Sequence, residues 1–192
     1  MRRAAAALLL ALAAGCKDAR PARDAATAHP PAPARRPASS LAELAGTDDE
    51  GRPFSLARLR GRPAVVVVYR GARCPLCVRR LLALHRNLEC YEELGAAVVA
   101  ITADPPTLVR HTARTLDLDF PLVSAGRPDL EALGIWPRGA WAPLPATFIL
   151  DRDLRVRYRH IGRTAAEHAG DLELTAALRA IEAGTEPHAP AP

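Results

Sequence analysis

The sequence predicts an α/β domain in which a central mixed β-sheet is flanked by helices on both faces. Three short runs of apolar and β-branched residues, at 65–69, 97–102 and 147–150, have the composition of strands that are buried on both faces. Segments with helical spacing follow the first two runs, so strand and helix alternate. Residues 154–161 alternate apolar and polar positions after a turn, which predicts an antiparallel partner for 147–150.

A helix is predicted after each of the first two strands. Residues 78–94 place apolar side chains at close to helical spacing and end at Gly95, which predicts one continuous helix. After the second strand, Asp104-Pro105-Pro106 predicts the start of another helix of about a dozen residues.

The second half of the domain is predicted to begin with shorter elements. A short strand is expected at 120–123 and a short helix at 129–133. The last helix is predicted over 164–183, because Thr164 is a suitable N-cap and Glu167 stands three residues later.

The N-terminal residues have the composition of an export signal. Arg2 and Arg3 precede eleven apolar residues, a run too short to span a bilayer, which needs about 20, but suited to a signal peptide. Leu12-Ala13-Ala14-Gly15-Cys16 then resembles a bacterial lipobox, which implies that Cys16 is acylated and anchors the protein to a membrane. An ordinary cleaved signal peptide, with Cys16 incidental, is the alternative.

Composition divides the chain into four segments. These are a signal peptide (1–15), the lipidated cysteine with a tether rich in Pro, Ala and Arg (16–40), the folded domain (41–184) and a disordered tail (185–192). The tether and tail cannot bury enough apolar surface to offset the entropy of ordering them. With the lipid anchor, this organisation places the domain in the cell envelope, outside the cytoplasm.

The net charge of +5 does not indicate a nucleic-acid-binding domain. The excess of positive charge lies before residue 41, and from there on 19 arginines face 19 acidic residues. A neutral domain lacks the basic surface that phosphate backbones require, so no nucleic-acid partner is expected.

The chemistry is expected at Cys74-Pro75-Leu76-Cys77, between the first strand and its helix. Pro75 suits the first helical position, so the Cys74 sulfur would lie at the positive end of the helix dipole, which stabilises the reactive thiolate. Cys77 follows about one helical turn later, within reach of a disulfide with Cys74. This placement predicts thiol-disulfide chemistry.

Two other uses of these cysteines are weighed. A zinc site with His85 and Cys90 is disfavoured, because the rise along a continuous helix places them about 12 and 20 Å from Cys77. A purely structural Cys74–Cys77 pair is the second alternative. Cys90 is expected to be a buried free thiol.

Several motifs extend this hypothesis to a known family. They are the segment 49–61 with its Asp49-Glu50-Gly51-Arg52, then Val68-Tyr69-Arg70-Gly71, the Cys74 to Cys77 motif, and Pro145-Ala146-Thr147-Phe148-Ile149-Leu150-Asp151. Over residues 41–184 the chain resembles the thioredoxin-like superfamily, specifically the alkyl hydroperoxide reductase C / thiol-specific antioxidant family in its peroxiredoxin-like branch. The resemblance implies a thioredoxin-like fold, no cofactor and no metal, and catalytic roles for Cys74, Cys77 and Pro145. In that family the matching proline is cis and lies against the active cysteine, with a trans proline opening the strand as the alternative here.

Two positions depart from typical peroxiredoxins. The family places a Thr three residues before the peroxidatic cysteine, where this chain has Gly71, and an Arg at about the position of Pro145. Arg70 or Arg73 are the candidates to replace that charge.

These departures favour a thiol-disulfide oxidoreductase in which Cys74 attacks and Cys77 resolves the mixed disulfide. The alternative is a thiol-dependent peroxidase with Cys74 peroxidatic, and the second alternative is a non-catalytic redox-sensing or metal-handling module. The expected partners are protein thiols and disulfides or peroxides, an upstream electron donor, and the membrane through the lipid anchor. His111, His160 and His168 are expected at the surface or at helix caps, and Trp136 and Trp141 in loop packing or at a substrate-facing edge.

Overall fold

The computed structural model describes residues 40–187. Its strands are β1 (Ala45–Asp48), β2 (Pro53–Ser55), β3 (Ala64–Val68), β4 (Ala97–Thr102), β5 (Leu122–Ala125), β6 (Ala146–Leu150) and β7 (Val156–Ile161). Its helices are α1 (Pro75–Arg86), α2 (Leu88–Glu93), α3 (Pro106–Thr115), α4 (Arg127–Ala132) and α5 (Asp171–Glu182). Two single 3-10 turns, Leu41–Glu43 and Leu56–Leu59, complete the described elements.

The seven strands form one mixed sheet in the order β2-β1-β5-β4-β3-β6-β7. Strand β3 pairs parallel with β4 and antiparallel with β6, so that Val66 lies between Val99 and Phe148. Strand β7 pairs antiparallel with β6, as the alternation of residues 154–161 predicts. The α/β class with a central mixed sheet is therefore confirmed.

Alternate residues of β3 enter two different cores. Val65 and Val67 pack with residues of α1, α3 and α5 on one face, whereas Val66 and Val68 pack with Leu130 of α4 on the other. All five residues of β3 and of β6 are buried, because both faces of these strands are covered. The buried β3 ends one residue before the loop that leads to Cys74.

The helix predicted over 78–94 is divided in two at Asn87. The Asn87 side-chain amide donates to the Ala83 carbonyl at 2.9 Å and to Asp171 of α5 at 3.2 Å. This local competition for a helical carbonyl accompanies non-helical backbone at Asn87, where α1 ends and α2 begins. Tyr91 is the buried residue of α2, and Cys90 is exposed, so the expectation of a buried Cys90 is wrong.

The last helix begins at Asp171 rather than at Thr164. Glu167 does interact with the residues that precede it, since its carboxylate accepts from the Arg163 amide at 2.7 Å and from the Thr164 hydroxyl at 3.3 Å. These contacts close a turn, not a first helical turn, and extended backbone at Gly170 then precedes α5. Strands β1 and β2 were not predicted, because they are only four and three residues long and lack apolar alternation.

Within residues 40–187, no helix is long and apolar enough to cross a bilayer. Cys16, the signal peptide and nearly all of the tether lie outside the described residues, as do the last five residues of the tail. The division of the chain into signal, tether, domain and tail remains a prediction.

Candidate active site

Cys74 lies at the N-terminus of α1, where the sequence predicts it. It is the N-cap residue, with extended backbone, and Pro75 follows as the first helical residue. The backbone amide of Cys77 donates to the Cys74 sulfur at 3.3 Å. An amide that would have no partner inside the helix thus points at this sulfur, and together with the helix dipole it favours negative charge there.

The two cysteines differ in their access to solvent. Cys74 retains 9% of its surface, whereas Cys77 is fully buried. Both are free thiols in this structure, so the predicted disulfide is not formed here. Burial raises the pKa of Cys77 to about 12, and the neighbouring Cys74 sulfur adds to the rise, while Arg70 opposes it. Cys77 is consequently a neutral thiol near pH 7, held directly behind the more accessible sulfur.

Asp104, which the sequence analysis treated only as the start of a helix, holds the loop that carries Cys74. Its carboxylate accepts from the Ala72 amide at 2.7 Å. Its own backbone is tied down by Thr102, which accepts from the Asp104 amide at 3.2 Å, and by Ser124, which donates to the Asp104 carbonyl at 2.6 Å. The available signal was its position directly after a buried parallel strand, since sites in α/β sheets gather at the carboxyl ends of such strands.

Gly71 is required by the same contact. Its φ of 131° lies in the region that favours glycine. A Cβ atom at residue 71 would lie 2.8 Å from Oδ1 of Asp104, which is too close for any side chain to fit without movement. A Thr at this position, as in typical peroxiredoxins, would require both the strained positive φ and a shift of the Asp104 carboxylate.

Arg70 and Trp141 form the outer edge of the site. The guanidinium carbon of Arg70 lies 4.5 Å from the centre of the Trp141 ring, and Trp141 is 77% exposed. Trp136 instead is buried, donates to the Ala140 carbonyl at 2.9 Å and stacks under Arg127. Trp136 therefore has the loop packing expected for it, and Trp141 lies exposed against Arg70.

Pro145 is buried directly before β6, but its peptide bond is trans. The cis geometry implied by the resemblance is thus corrected, since the described residues contain no cis peptide bond. A proline suits the start of a strand because no amide donor is needed there, and Ala146 then pairs with Val68. The Pro145 carbonyl accepts from Gly162 at 2.8 Å, which joins this strand to the chain after β7.

Tyr69 lies on the inner side of the cysteines. It is fully buried, and burial raises the pKa of its phenol above the usual value, with a further contribution from the negative charge of Asp104. Tyr69 is therefore a neutral phenol, buried in the same core cluster as Cys74 and Cys77. Its place at the end of a predicted strand indicated burial, but not proximity to Asp104.

The histidines are not all at the surface as expected. His111 is exposed, whereas His160 and His168 are half-buried. Burial lowers the pKa of His168, and the charge of Arg80, one turn after Cys77 in α1, lowers it further. The surface placement predicted for His160 and His168 is therefore wrong.

The geometry does not assemble the zinc alternative. His85 accepts from the Asp119 amide at 3.4 Å, away from the cysteine pair. Within the described part of the chain, no group of three or more His, Cys, Asp or Glu side chains is placed to hold a metal ion.

Comparison with known proteins identifies related sequences and folds. Residues 37–159 match the model of the AhpC/TSA family. The chain is 32% identical over 109 residues to a chloroplastic peroxiredoxin Q of Sedum lineare, which covers 55% of this chain and 58% of that protein. It is 29% identical over 136 residues to a putative peroxiredoxin of Mycobacterium tuberculosis, covering 65% and 84%. The chain thus spans under two thirds of the length of the first plant relative.

Two solved structures show the same arrangement of the sheet. The peroxidoxin BcpB of Mycobacterium tuberculosis superposes with a TM-score of 0.63 at 25% identity, covering 73% of this chain and 94% of that one. The bacterioferritin comigratory protein of Xanthomonas campestris superposes with a TM-score of 0.63 at 20% identity, covering 76% and 96%. These likenesses confirm the predicted fold class.

Proposed function

Because the chain belongs to the AhpC/TSA family, we propose that it is a thiol-dependent peroxidase in which Cys74 attacks the peroxide. The observation that carries the proposal is the Cys74 sulfur at the N-cap of α1, with the Cys77 amide directed at it. The sequence alone favours thiol-disulfide exchange, but the relatives of this chain are named peroxiredoxins and support the peroxidase alternative better.

The proposed reaction has two chemical steps within the protein. The Cys74 thiolate attacks one peroxide oxygen, an S–O bond forms, the O–O bond breaks, and the alcohol or water leaves with a proton. The Cys77 thiol then attacks the sulfur of the resulting sulfenic acid, an S–S bond forms, and water leaves. An external dithiol supplies the two electrons that return the disulfide to two thiols.

The unequal burial of the cysteines sets this order. Peroxide reaches Cys74, which retains surface, and not Cys77, which has none. The pKa of about 12 keeps Cys77 protonated until Cys74 is oxidised, so that Cys77 does not compete as a nucleophile.

Arg70 is the proposed source of positive charge at the site. Its charge acts on Cys77, where it opposes the pKa increase caused by burial. The Ala72 amide is already used by Asp104, so it is not available to bind peroxide. Arg70 therefore takes the place of the Arg that typical peroxiredoxins have near position 145.

The test is single-turnover oxidation of the reduced domain by hydrogen peroxide and by cumene hydroperoxide, with dithiothreitol as reductant for turnover. Cys74→Ser should lose peroxide consumption, and Cys77→Ser should form a sulfenic acid at Cys74 that a dimedone reagent labels. Cys90→Ser is the matched control, because Cys90 is exposed and remote in sequence from the motif, and it should behave as wild type.

The competing function predicts a different pattern. An exchange enzyme would reduce insulin disulfides faster than it consumes either peroxide, and Cys77→Ser would accumulate mixed disulfides with insulin chains. That result would replace the peroxidase proposal.

A further inference from the structure

The guanidinium of Arg70 rests on an exposed aromatic ring rather than on a carboxylate. Its central carbon lies 4.5 Å from the centre of the Trp141 ring. In the described part of the chain, Arg70 has no ion pair within 4 Å, and its buried Nε has no hydrogen-bond partner. The ring is therefore the contact that determines where this charge lies.

An aromatic support differs from an acidic one in its effect on the site. A carboxylate would hold the guanidinium but also cancel its charge, whereas a ring face attracts the cation and leaves its charge in place. Arg70 immediately precedes Gly71, and the loop there is held by the hydrogen bond from Ala72 to Asp104. The position of the guanidinium therefore depends on the conformation of the Arg70 side chain.

The residues around Cys74 include few carboxylates that could neutralise the positive charge of Arg70. No acidic residue occurs between positions 70 and 88, and the Asp104 carboxylate, which accepts from the Ala72 amide, forms no ion pair with Arg70 within 4 Å. The Arg70 backbone amide and, to a smaller extent, the Arg70 charge oppose the rise that burial causes in the pKa of Cys77, which agrees with a guanidinium held near the cysteine pair.

We propose that Trp141 is a positioning residue, which holds the Arg70 guanidinium beside the cysteine pair without neutralising it and so raises the reactivity of Cys74. The catalytic consequence rests on the proposed peroxidase function, but the positioning itself does not. It is measured by alkylation of Cys74 with iodoacetamide at a fixed pH, which needs no peroxide.

The variants are made in a Cys90→Ser background, so that the buried Cys77 and the more accessible Cys74 are the thiols of the described domain. Trp141→Leu removes the ring face but keeps an apolar side chain, and should slow alkylation of Cys74 by about two- to fivefold, the range of an exposed cation–π contact. Trp141→Phe retains a ring and should recover most of the rate. Because Trp141 is exposed, both variants should unfold at the wild-type temperature.

A double-mutant cycle tests whether Trp141 acts through Arg70. Arg70→Gln alone should slow alkylation at least as much as Trp141→Leu, and adding Trp141→Leu to Arg70→Gln should slow it no further. Arg127→Gln is the matched control, since Arg127 stacks on the other tryptophan at 4.8 Å and should leave the rate unchanged.

Two results would overturn the proposal: equal rates for Trp141→Leu and Trp141→Phe, or additive losses in the cycle. If the alkylation cycle holds while peroxide consumption is absent from the wild type, the positioning role stands and the peroxidase function fails.

Discussion

The Asp104 carboxylate occupies the space that a side chain at Gly71 would need. Oδ1 lies 2.8 Å from the position of a Cβ atom at residue 71, and Oδ2 accepts from the next amide, at Ala72, at 2.7 Å. One carboxylate thus both fastens the loop before Cys74 and crowds any side chain placed at residue 71.

Gly71→Ala should destabilise the domain through two effects, the strained positive φ and the collision with Asp104. The matched control is Gly95→Ala, where φ is 69° but no atom lies within 4 Å of the added Cβ. Gly95→Ala should cost about 1 kcal/mol of unfolding free energy, and Gly71→Ala should cost roughly 1 kcal/mol more than that. Urea unfolding of the reduced proteins measures both values.

The collision can be separated from the strain with a second change. Asp104→Ala alone should slow peroxide consumption, because the loop loses its hydrogen bond at Ala72. In the double variant with Gly71→Ala and Asp104→Ala, the loss of unfolding free energy should be smaller than the sum of the two single losses, because the carboxylate that would collide with the new Cβ is absent. Equal losses of unfolding free energy for Gly71→Ala and Gly95→Ala would show that the Asp104 side chain moves aside freely.

The reduced domain should lose stability in alkaline solution because of Cys77. Its pKa is raised from 9.0 to about 12 in the folded state, so folding favours the neutral thiol. This contribution is fully present below pH 9 and is lost as the pH rises towards 12, because the unfolded chain ionises first. Between pH 9 and 11 the unfolding free energy should therefore fall more steeply for wild type than for Cys77→Ser. If the unfolding free energies of the two proteins fell in parallel with pH, the raised pKa of Cys77 would not be the cause of the loss.

Asp171 should be important for stability, since it gathers three donors at the start of α5. Arg80 donates at 2.8 Å, the Tyr91 hydroxyl at 2.6 Å and the Asn87 amide at 3.2 Å. Arg80 is 7% exposed, so Asp171→Ala leaves a buried charge without its partner and should cost about 3 kcal/mol.

The control for this prediction is the exposed ion pair between Arg152 and Glu182 at the other end of α5. Their side chains are 61% and 35% exposed, so Glu182→Ala should change the unfolding free energy by less than about 1 kcal/mol. Similar losses for Asp171→Ala and Glu182→Ala in urea unfolding would show that burial does not govern these pairs.

Cys16 is predicted to anchor the protein outside the cytoplasm. Cys16→Ala should move the protein from the membrane fraction to the soluble fraction of a bacterial host that exports it, because the apolar run before it is too short to span a bilayer. Immunoblotting of the two fractions measures the change, with Cys90→Ser as a control that should stay in the membrane fraction. Retention of Cys16→Ala in the membrane fraction would reject the lipid anchor.

The sequence by itself determined the features that depend on neighbouring residues. The apolar run ending in Tyr69 sufficed to predict a buried central strand, and Pro75 sufficed to place Cys74 at the start of a helix. Such patterns are local, because backbone conformation and the burial of alternate side chains follow from residues that are close along the chain.

Contacts between distant residues decided the rest. Asn87, where α1 ends, binds Asp171, 84 positions away in sequence, and Cys90 lies exposed on the short helix that follows. The crowding at Gly71 comes from Asp104, 32 positions beyond Ala72, and the Arg70 guanidinium stacks on Trp141, 71 positions away. No periodicity encodes these pairs, since each requires the folded sheet to bring two loops within hydrogen-bonding or stacking distance. The tertiary structure therefore determined which charges and which free volume surround Cys74.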